Sequence, residues 1–214
     1  MNKNAKKSGN RIVDRRVQKS KKLLSDALVS LILEKGYEEV TIQDILDRAN
    51  IGRSTFYAHF ENKEQLLLFG HEHLRNLALK EGSDRIDFLS FYRHLTDKHL
   101  LAAKLLSGGR SEEVVTRSLY DILHYGISRL YESLVAKTSE QRAMLALRTD
   151  AAAAALVQLM TSWIRSGMPY PPEAMAAEST ALTQRILCIE AAPGLTPASP
   201  VQMPSLSANA RQRP

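Results

Sequence analysis

The sequence is short of everything that would tie it to covalent or redox chemistry. It contains one cysteine, Cys188, so an intramolecular disulfide and a cysteine-rich metal site are both excluded. Aromatic residues make up only 6% of the 214 positions. The longest uninterrupted apolar run, Ala151 to Val157, falls far below the length that spans a bilayer. No apolar segment follows the N-terminal charges, which argues against a signal peptide. A soluble, cytoplasmic protein without membrane contact is expected. No nucleophile elbow, phosphate-cradling glycine loop or zinc-binding HExxH occurs, so the sequence offers no recognisable catalytic set. An enzyme is not expected, nor a cofactor. His71 and His73 stand two apart and would face different ways on a helix, so no metal pair is expected either.

Acidic residues are nearly absent from the N-terminus. Residues 1–22 hold nine Lys and Arg against Asp14 alone. That segment therefore carries +8, and the remainder −2 of the total +6. A basic arm beside a near-neutral body is the electrostatic footprint of a nucleic-acid binder, and equally of a solubilising tail. Loss of Arg15 and Arg16 is expected to weaken DNA binding on all sequences alike and to flatten its salt dependence.

The rest of the chain reads as helix, with no convincing alternating strand; the fold class is all-α. The arm, residues 1–14, is polar and is expected to be disordered. A helix reads from about Arg15 to Lys35, with Leu24, Ala27, Leu28, Leu31 and Ile32 at three-and-four spacing and Gly36 at its stop. Thr41, with Asp44 three residues on, is the N-cap of a second helix carrying Ile42, Ile45 and Leu46. Asn50 fits a left-handed turn. A short helix follows over 53–60, then Asn62 and Gln65 open a longer one over about 63–80. Residues 86–106 read helical up to Gly108 and Gly109. A helix over 111–136 precedes one opened by Thr138 and Gln141 and ended near Gly167. Pro171 or Pro172 starts a last helix that runs to about Ala191. Pro, Ser and Ala dominate residues 192–214, which read as a disordered tail.

The stretch IGRSTFYAHFENKEQL, residues 51–66, carries the function. Phe56 and Phe60 are four apart and share a stripe that can pack inward. Ser54, Thr55, Tyr57, Ala58 and His59 fan across the remaining surface, and Ala58 lets a partner approach closely. Two helices joined by a short turn, the second short and rich in donors, form a helix-turn-helix. The wide major groove admits such a helix. Arg53 matches the O6 and N7 acceptors of guanine. Thr55, Tyr57, His59 and Lys63 suit phosphate oxygens, and Thr41 can direct a hydroxyl and an N–H at another phosphate.

The segment VTIQDILDRANIGRSTFYAHFENKEQLL resembles the DNA-binding segment of TetR-family transcriptional regulators. The likeness covers roughly residues 15–70. It implies that Arg53 and Ser54 face bases, that Thr41, Thr55, Tyr57, His59 and Lys63 hold the backbone, and that Gln43 touches a base or a phosphate. Asn50 stands where the family usually has Gly, and Gly52 where Ser or Thr is commoner as a cap.

The resemblance further implies two domains. Residues 15–65 form the helix-turn-helix unit. Residues 66–191 form a C-terminal helical bundle for dimerisation and regulation. Small residues in DAAAAALVQLMTSWIRSGM, with Met175, Leu182, Ile186, Leu187 and Ile189, mark the dimer surface, so homodimer contacts are expected through about 139–166 and 171–191. Tyr92, His124, Tyr125 and Trp163 could present polar tips to a small-molecule effector. The function expected is a homodimeric repressor that binds a palindromic operator in double-stranded DNA and is released by an effector. The alternative is a helical adaptor, or a constitutive DNA-binding protein controlled by a protein partner.

Overall fold

The computed structural model describes residues 3–79, 86–135 and 138–187. Among these, nine helices and no strand occur: α1 (Lys3–Lys35), α2 (Ile42–Ala49), α3 (Arg53–Tyr57), α4 (Lys63–Ala78), α5 (Phe88–Asp97), α6 (His99–Leu105), α7 (Gly109–Val135), α8 (Ser139–Arg165) and α9 (Pro172–Leu187). The all-α expectation holds. The tail over 192–214, Cys188 and the end of the last helix over 188–191 lie outside the described residues.

Besides the shorter α3, two boundaries differ from the sequence reading. First, α1 opens at Lys3 rather than near Arg15. The arm expected to be disordered contains no Pro, and its Lys, Arg and Ala are good helix formers, although Gly9, Ser8, Asp14 and three Asn stand against them. Polarity alone does not oppose a helix. Second, residues 86–106 are two helices broken at Lys98, whose φ of −110° and ψ of 26° leave the helical region. Neither Gly nor Pro marks that break.

Local chemistry sets most other ends. The Thr41 hydroxyl accepts from the Asp44 N–H while Asp44 accepts from the Thr41 N–H, a reciprocal capping box. Thr138 and Gln141 repeat it at α8. Asn50 stops α2 in the left-handed conformation, φ 51° and ψ 50°. The Asn62 side chain accepts from the Gln65 N–H, and Gln65 reaches past it to the Glu61 N–H.

Helices α1, α2 and α4 pack together around Leu24, Leu28, Ile32, Ile45, Leu46 and Leu66, all at most 4% exposed. In the C-terminal half α8 packs on α7 and α9, and α9 on α5. By length and composition alone α8 is apolar enough to cross a bilayer, with a window mean hydropathy of 1.3. Its uninterrupted apolar run is short, but alanines on both sides raise the average. The helix is two-sided: Leu145, Ala152, Ala153, Leu156, Met160 and Ile164 are buried, while Met144, Leu147, Ala151 and Ala154 are exposed.

The two halves are joined at the start of α7. The Glu38 carboxylate, from the loop between α1 and α2, accepts from the Ser111 N–H at 3.0 Å. Gly109 has φ +76°, which favours glycine, and a Cβ there would lie 2.8 Å from that carboxylate and displace it. Arg110 adds two bonds to Glu64 of α4, at 2.8 and 3.1 Å.

Farther along the same seam, His71 of α4 is buried against Ser118 of α7, Nδ1 to Oγ at 3.1 Å. Burial, assisted by nearby His94, pushes its pKa down to about 4 from 6.5. The unfolded chain takes up a proton near pH 6.5; the folded chain resists until about pH 4. Stability is therefore complete above pH 6.5 and is lost as the pH falls through that window, by an amount on the order of 3 kcal/mol. Urea melts between pH 7 and 4 should show that slope, and His71→Gln should flatten it.

Candidate nucleic-acid interface

The helix-turn-helix begins with a brace. Arg48 of α2 grips Glu34 of α1 with two bonds of 2.7 Å and also donates to Ser30. That guanidinium, with help from the Ser30 hydroxyl, holds the Glu34 carboxyl at about 2. Lys35 reaches Asp44 at 2.8 Å. Lys35 first, and then Thr41, holds the Asp44 carboxyl well below the usual carboxylate range. These are surface pairs, worth little individually, but they fix α2 across the end of α1.

On this base α3 is pinned by its rings. Phe56 is 0% and Phe60 5% exposed, with centroids 5.9 Å apart. Phe60 continues to Phe69 of α4 at 5.7 Å, and Lys21 of α1 lies 5.9 Å from the Phe60 ring. The helix is shorter than the 53–60 expected, yet its hydrogen bonding carries on past Tyr57: the Ala58 N–H donates to Ser54 O at 3.0 Å and the Phe60 N–H to Phe56 O at 2.9 Å. Gly52 stands at the N-cap with no side-chain bond.

Opposite the rings lies an open face. Arg53, Ser54, Tyr57 and Ala58 are exposed, and Thr55 and His59 half-buried. Tyr57 is 50% exposed while the edge of its ring meets Phe56 at 5.3 Å, so the core orients the ring and leaves the hydroxyl outside. Gln43 of α2 joins this face. Its amide oxygen accepts from Arg53 Nη2 at 3.2 Å, and its amide nitrogen donates to Asp47 at 2.8 Å. Arg15 and Arg16 are exposed on α1, upstream of the Lys21 that touches Phe60.

Two expected phosphate contacts are placed differently. The Lys63 ammonium donates to Tyr37 O and Val40 O at 3.0 Å and to Glu38 O at 3.4 Å, and it lies 4.3 Å from the centre of the Tyr37 ring. Its three protons are engaged by the turn between α1 and α2, so Lys63 is an internal clamp. The carbonyls it holds are 23 to 26 residues away, beyond any local signal. Lys63→Met should accordingly lower stability by about 1–2 kcal/mol and leave the salt dependence of DNA binding unchanged; thermal melts and salt titrations check both. Thr41 likewise gives its hydroxyl and its N–H to Asp44, at 2.7 and 2.8 Å. Asp47 was not singled out in the sequence, although its spacing of four from Gln43 on a helix is the signal that finds it.

The four expected effector residues do not line one cavity, although Tyr92 and Trp163 meet. Tyr92 is fully buried, its hydroxyl bonded to Ser179 at 2.8 Å. Trp163 packs edge-on against it at 5.2 Å and donates to Tyr170 O at 3.0 Å. His124 faces Asp150 at 3.0 Å and stacks on Tyr120. Tyr125 lies elsewhere, under Arg75 and on an open groove of about 920 Å³ between α4 and α7 that Glu64, Arg110 and Asp121 also line. A buried aromatic tip needs a partner, and here the fold supplies it. Among the described residues no group of three His, Cys, Asp or Glu could hold a metal ion.

Comparison with known proteins agrees with this geometry. Residues 24–68 match the family described as "Bacterial regulatory proteins, tetR family", and residues 88–185 match a "Transcriptional regulator C-terminal region". The dhaKLM operon transcriptional activator DhaS of Lactococcus lactis is 27% identical over 90 residues, covering 40% of this chain and 48% of that protein. An HTH-type regulator of Bacillus subtilis, YxbF, is 45% identical over 56 residues, 26% of this chain and 15% of its own. The chain thus spans less than half the length of these curated relatives. Solved structures share the fold: a dihydroxyacetone kinase operon activator DhaS, with TM-score 0.56, 20% identity and coverage of 79% of this chain and 97% of that one, and a TetR regulator from Streptococcus agalactiae, with TM-score 0.53, 22% identity and coverage of 83% and 98%. The two matched regions together span more than half of the sequence, an N-terminal helix-turn-helix followed by a C-terminal helical domain, and the chain belongs to the tetR family of transcriptional regulators.

Proposed function

We propose that this chain is a sequence-specific DNA-binding regulator that acts as a homodimer on a palindromic operator. The observation that carries the reading is the two-sided α3: Phe56 and Phe60 are buried, and Arg53, Ser54 and Tyr57 stand on the opposite, open face beside Gln43. Arg53 reads guanine, Ser54 and Gln43 touch neighbouring base edges, and Thr55, Tyr57 and His59 hold phosphates. Arg15 and Arg16 add sequence-independent attraction.

The dimer reading is supported by the outer stripe of α8. Met144, Leu147, Ala151, Ala154, Gln158 and Ser162 recur at three-and-four spacing and are exposed, Leu147 by 64%. On α9, Ala174, Ala177 and Ala181 follow the same spacing at partly or fully exposed positions. Met175 and Leu187, earlier expected at the interface, are 4% and 0% exposed within the protomer's own core; small outer residues take their place. Two such helices from each chain form a four-helix interface.

Repression is the expected sign, because a dimer seated on a promoter occludes it; a reporter with the operator at different positions decides between that and the activation named for the DhaS relative. Control by a surface partner is favoured over an internal small molecule, since the Tyr92 and Trp163 tips are already bonded within the fold. Small-molecule and macromolecular fractions of a cell extract, added separately to the protein–operator complex, distinguish the two.

Selection of binding sites from random-sequence duplexes tests the central reading. An inverted repeat is expected, with half-site centres about one helical turn or a multiple apart. Arg53→Ala should weaken binding by about 1–3 kcal/mol and relax preference at one base of each half-site. Recovery of no common sequence would refute the proposal.

A further inference from the structure

Asp47 lies outside every expected contact, yet it ends a chain of bonds that begins at the DNA-reading guanidinium. Its carboxylate accepts from Gln43 Nε2 at 2.8 Å, and Gln43 Oε1 accepts from Arg53 Nη2 at 3.2 Å. We propose that Asp47 is a positioning residue for base recognition: by fixing which end of the Gln43 amide points at Arg53, it presets the Arg53 fork. This rests on the reading of Arg53 as the base-contacting residue.

An amide has a donor end and an acceptor end, and a free Gln43 could present either. Only the oxygen can hold a guanidinium, which donates and never accepts. A carboxylate on the far side accepts only from the nitrogen, so the two neighbours select the same orientation. Gln43 and Asp47 are four apart on α2 and so share a face. Arg53 comes from the next helix, so the relay also ties the reading helix to its support. In the free protein these groups are exposed, and their bonds compete with water. Against a duplex, water leaves and the same bonds strengthen. One Nη2 proton is committed to Gln43, which leaves the rest of the fork for the paired acceptors of guanine.

A carboxylate facing DNA repels phosphates. Its removal should therefore raise affinity for arbitrary sequence while lowering discrimination, two effects of opposite sign. A merely structural Asp47 would lower both together.

The test repeats the random-duplex selection with full-length wild type, Asp47→Ala and Asp47→Asn, alongside thermal melts and salt titrations. Asp47→Ala should lose about tenfold in preference at one base of each half-site, with an unchanged melt, while affinity for unselected duplex rises or holds. Asp47→Asn keeps an acceptor for Gln43 but adds a donor that can hold its other end, and should restore the preference only in part. If Asp47→Ala selects the wild-type site with wild-type preference, or loses affinity equally on all sequences, the relay is refuted. If wild type itself selects nothing, the reading of Arg53 fails as well, so the two failures are separable.

Discussion

Phe56→Ala should cost about 3–5 kcal/mol, the range for emptying an aromatic site in a closed core. Phe56 is fully buried, with ring neighbours on two sides, Tyr57 and Phe60. The N-terminal unit is small, and a loss of this size approaches the whole stability of a domain that size. Helix α3 has five residues, far too few to persist without its anchors. Specific DNA binding should therefore vanish, and because α4 packs on α5 and α7 and α1 on α6, part of the loss should reach the C-terminal helices. Phe56→Leu preserves most of the volume and should cost less than about 1.5 kcal/mol, with binding retained. Circular dichroism melts and duplex titrations on the same samples decide. Binding retained by a well-folded Phe56→Ala protein would show that the ring does not place the reading face.

Leu147→Glu is expected to act at the other end of the molecule, through assembly. Leu147 is 64% exposed in the protomer, so the change should alter the stability of the folded monomer by no more than about 0.5 kcal/mol. Within the proposed α8 interface it would bury like charges, one from each chain. The variant should sediment as a monomer. Its affinity for a full inverted repeat should drop by roughly 10²–10⁴, the gain that linking two sites provides, while affinity for a single half-site stays as in wild type. A variant that still sediments as a dimer would place the interface elsewhere.

What the sequence disclosed is chemistry acting over a few residues. Thr41 with Asp44, Thr138 with Gln141, and Asn50 in the left-handed turn are all local, and each is found where its spacing puts it. The pairing of Phe56 with Phe60 follows from one turn of helix. Interactions that depend on distant chain segments were hidden. Lys63 reads as a free cation because its partners are 23 to 26 residues upstream. Tyr92 reads as a ligand group because Ser179, which satisfies it, is 87 residues away. The break at Lys98 carries no Gly or Pro, and α1 extends into an arm whose like charges four apart, Lys3 with Lys7 and Lys7 with Arg11, oppose a helix rather than announce one. The Glu38 cap on α7, which joins the two halves, is likewise a tertiary contact over 73 residues.

The proposed DNA reading depends on one surface, the open side of α3 with Gln43. Amide hydrogen exchange of the full chain, with and without a duplex chosen by selection, addresses it directly. Slowed exchange is expected across residues 53–60 and at the start of α2, with α6 unchanged. Protection confined to the C-terminal helices, with α3 exchanging as in the free protein, would contradict it.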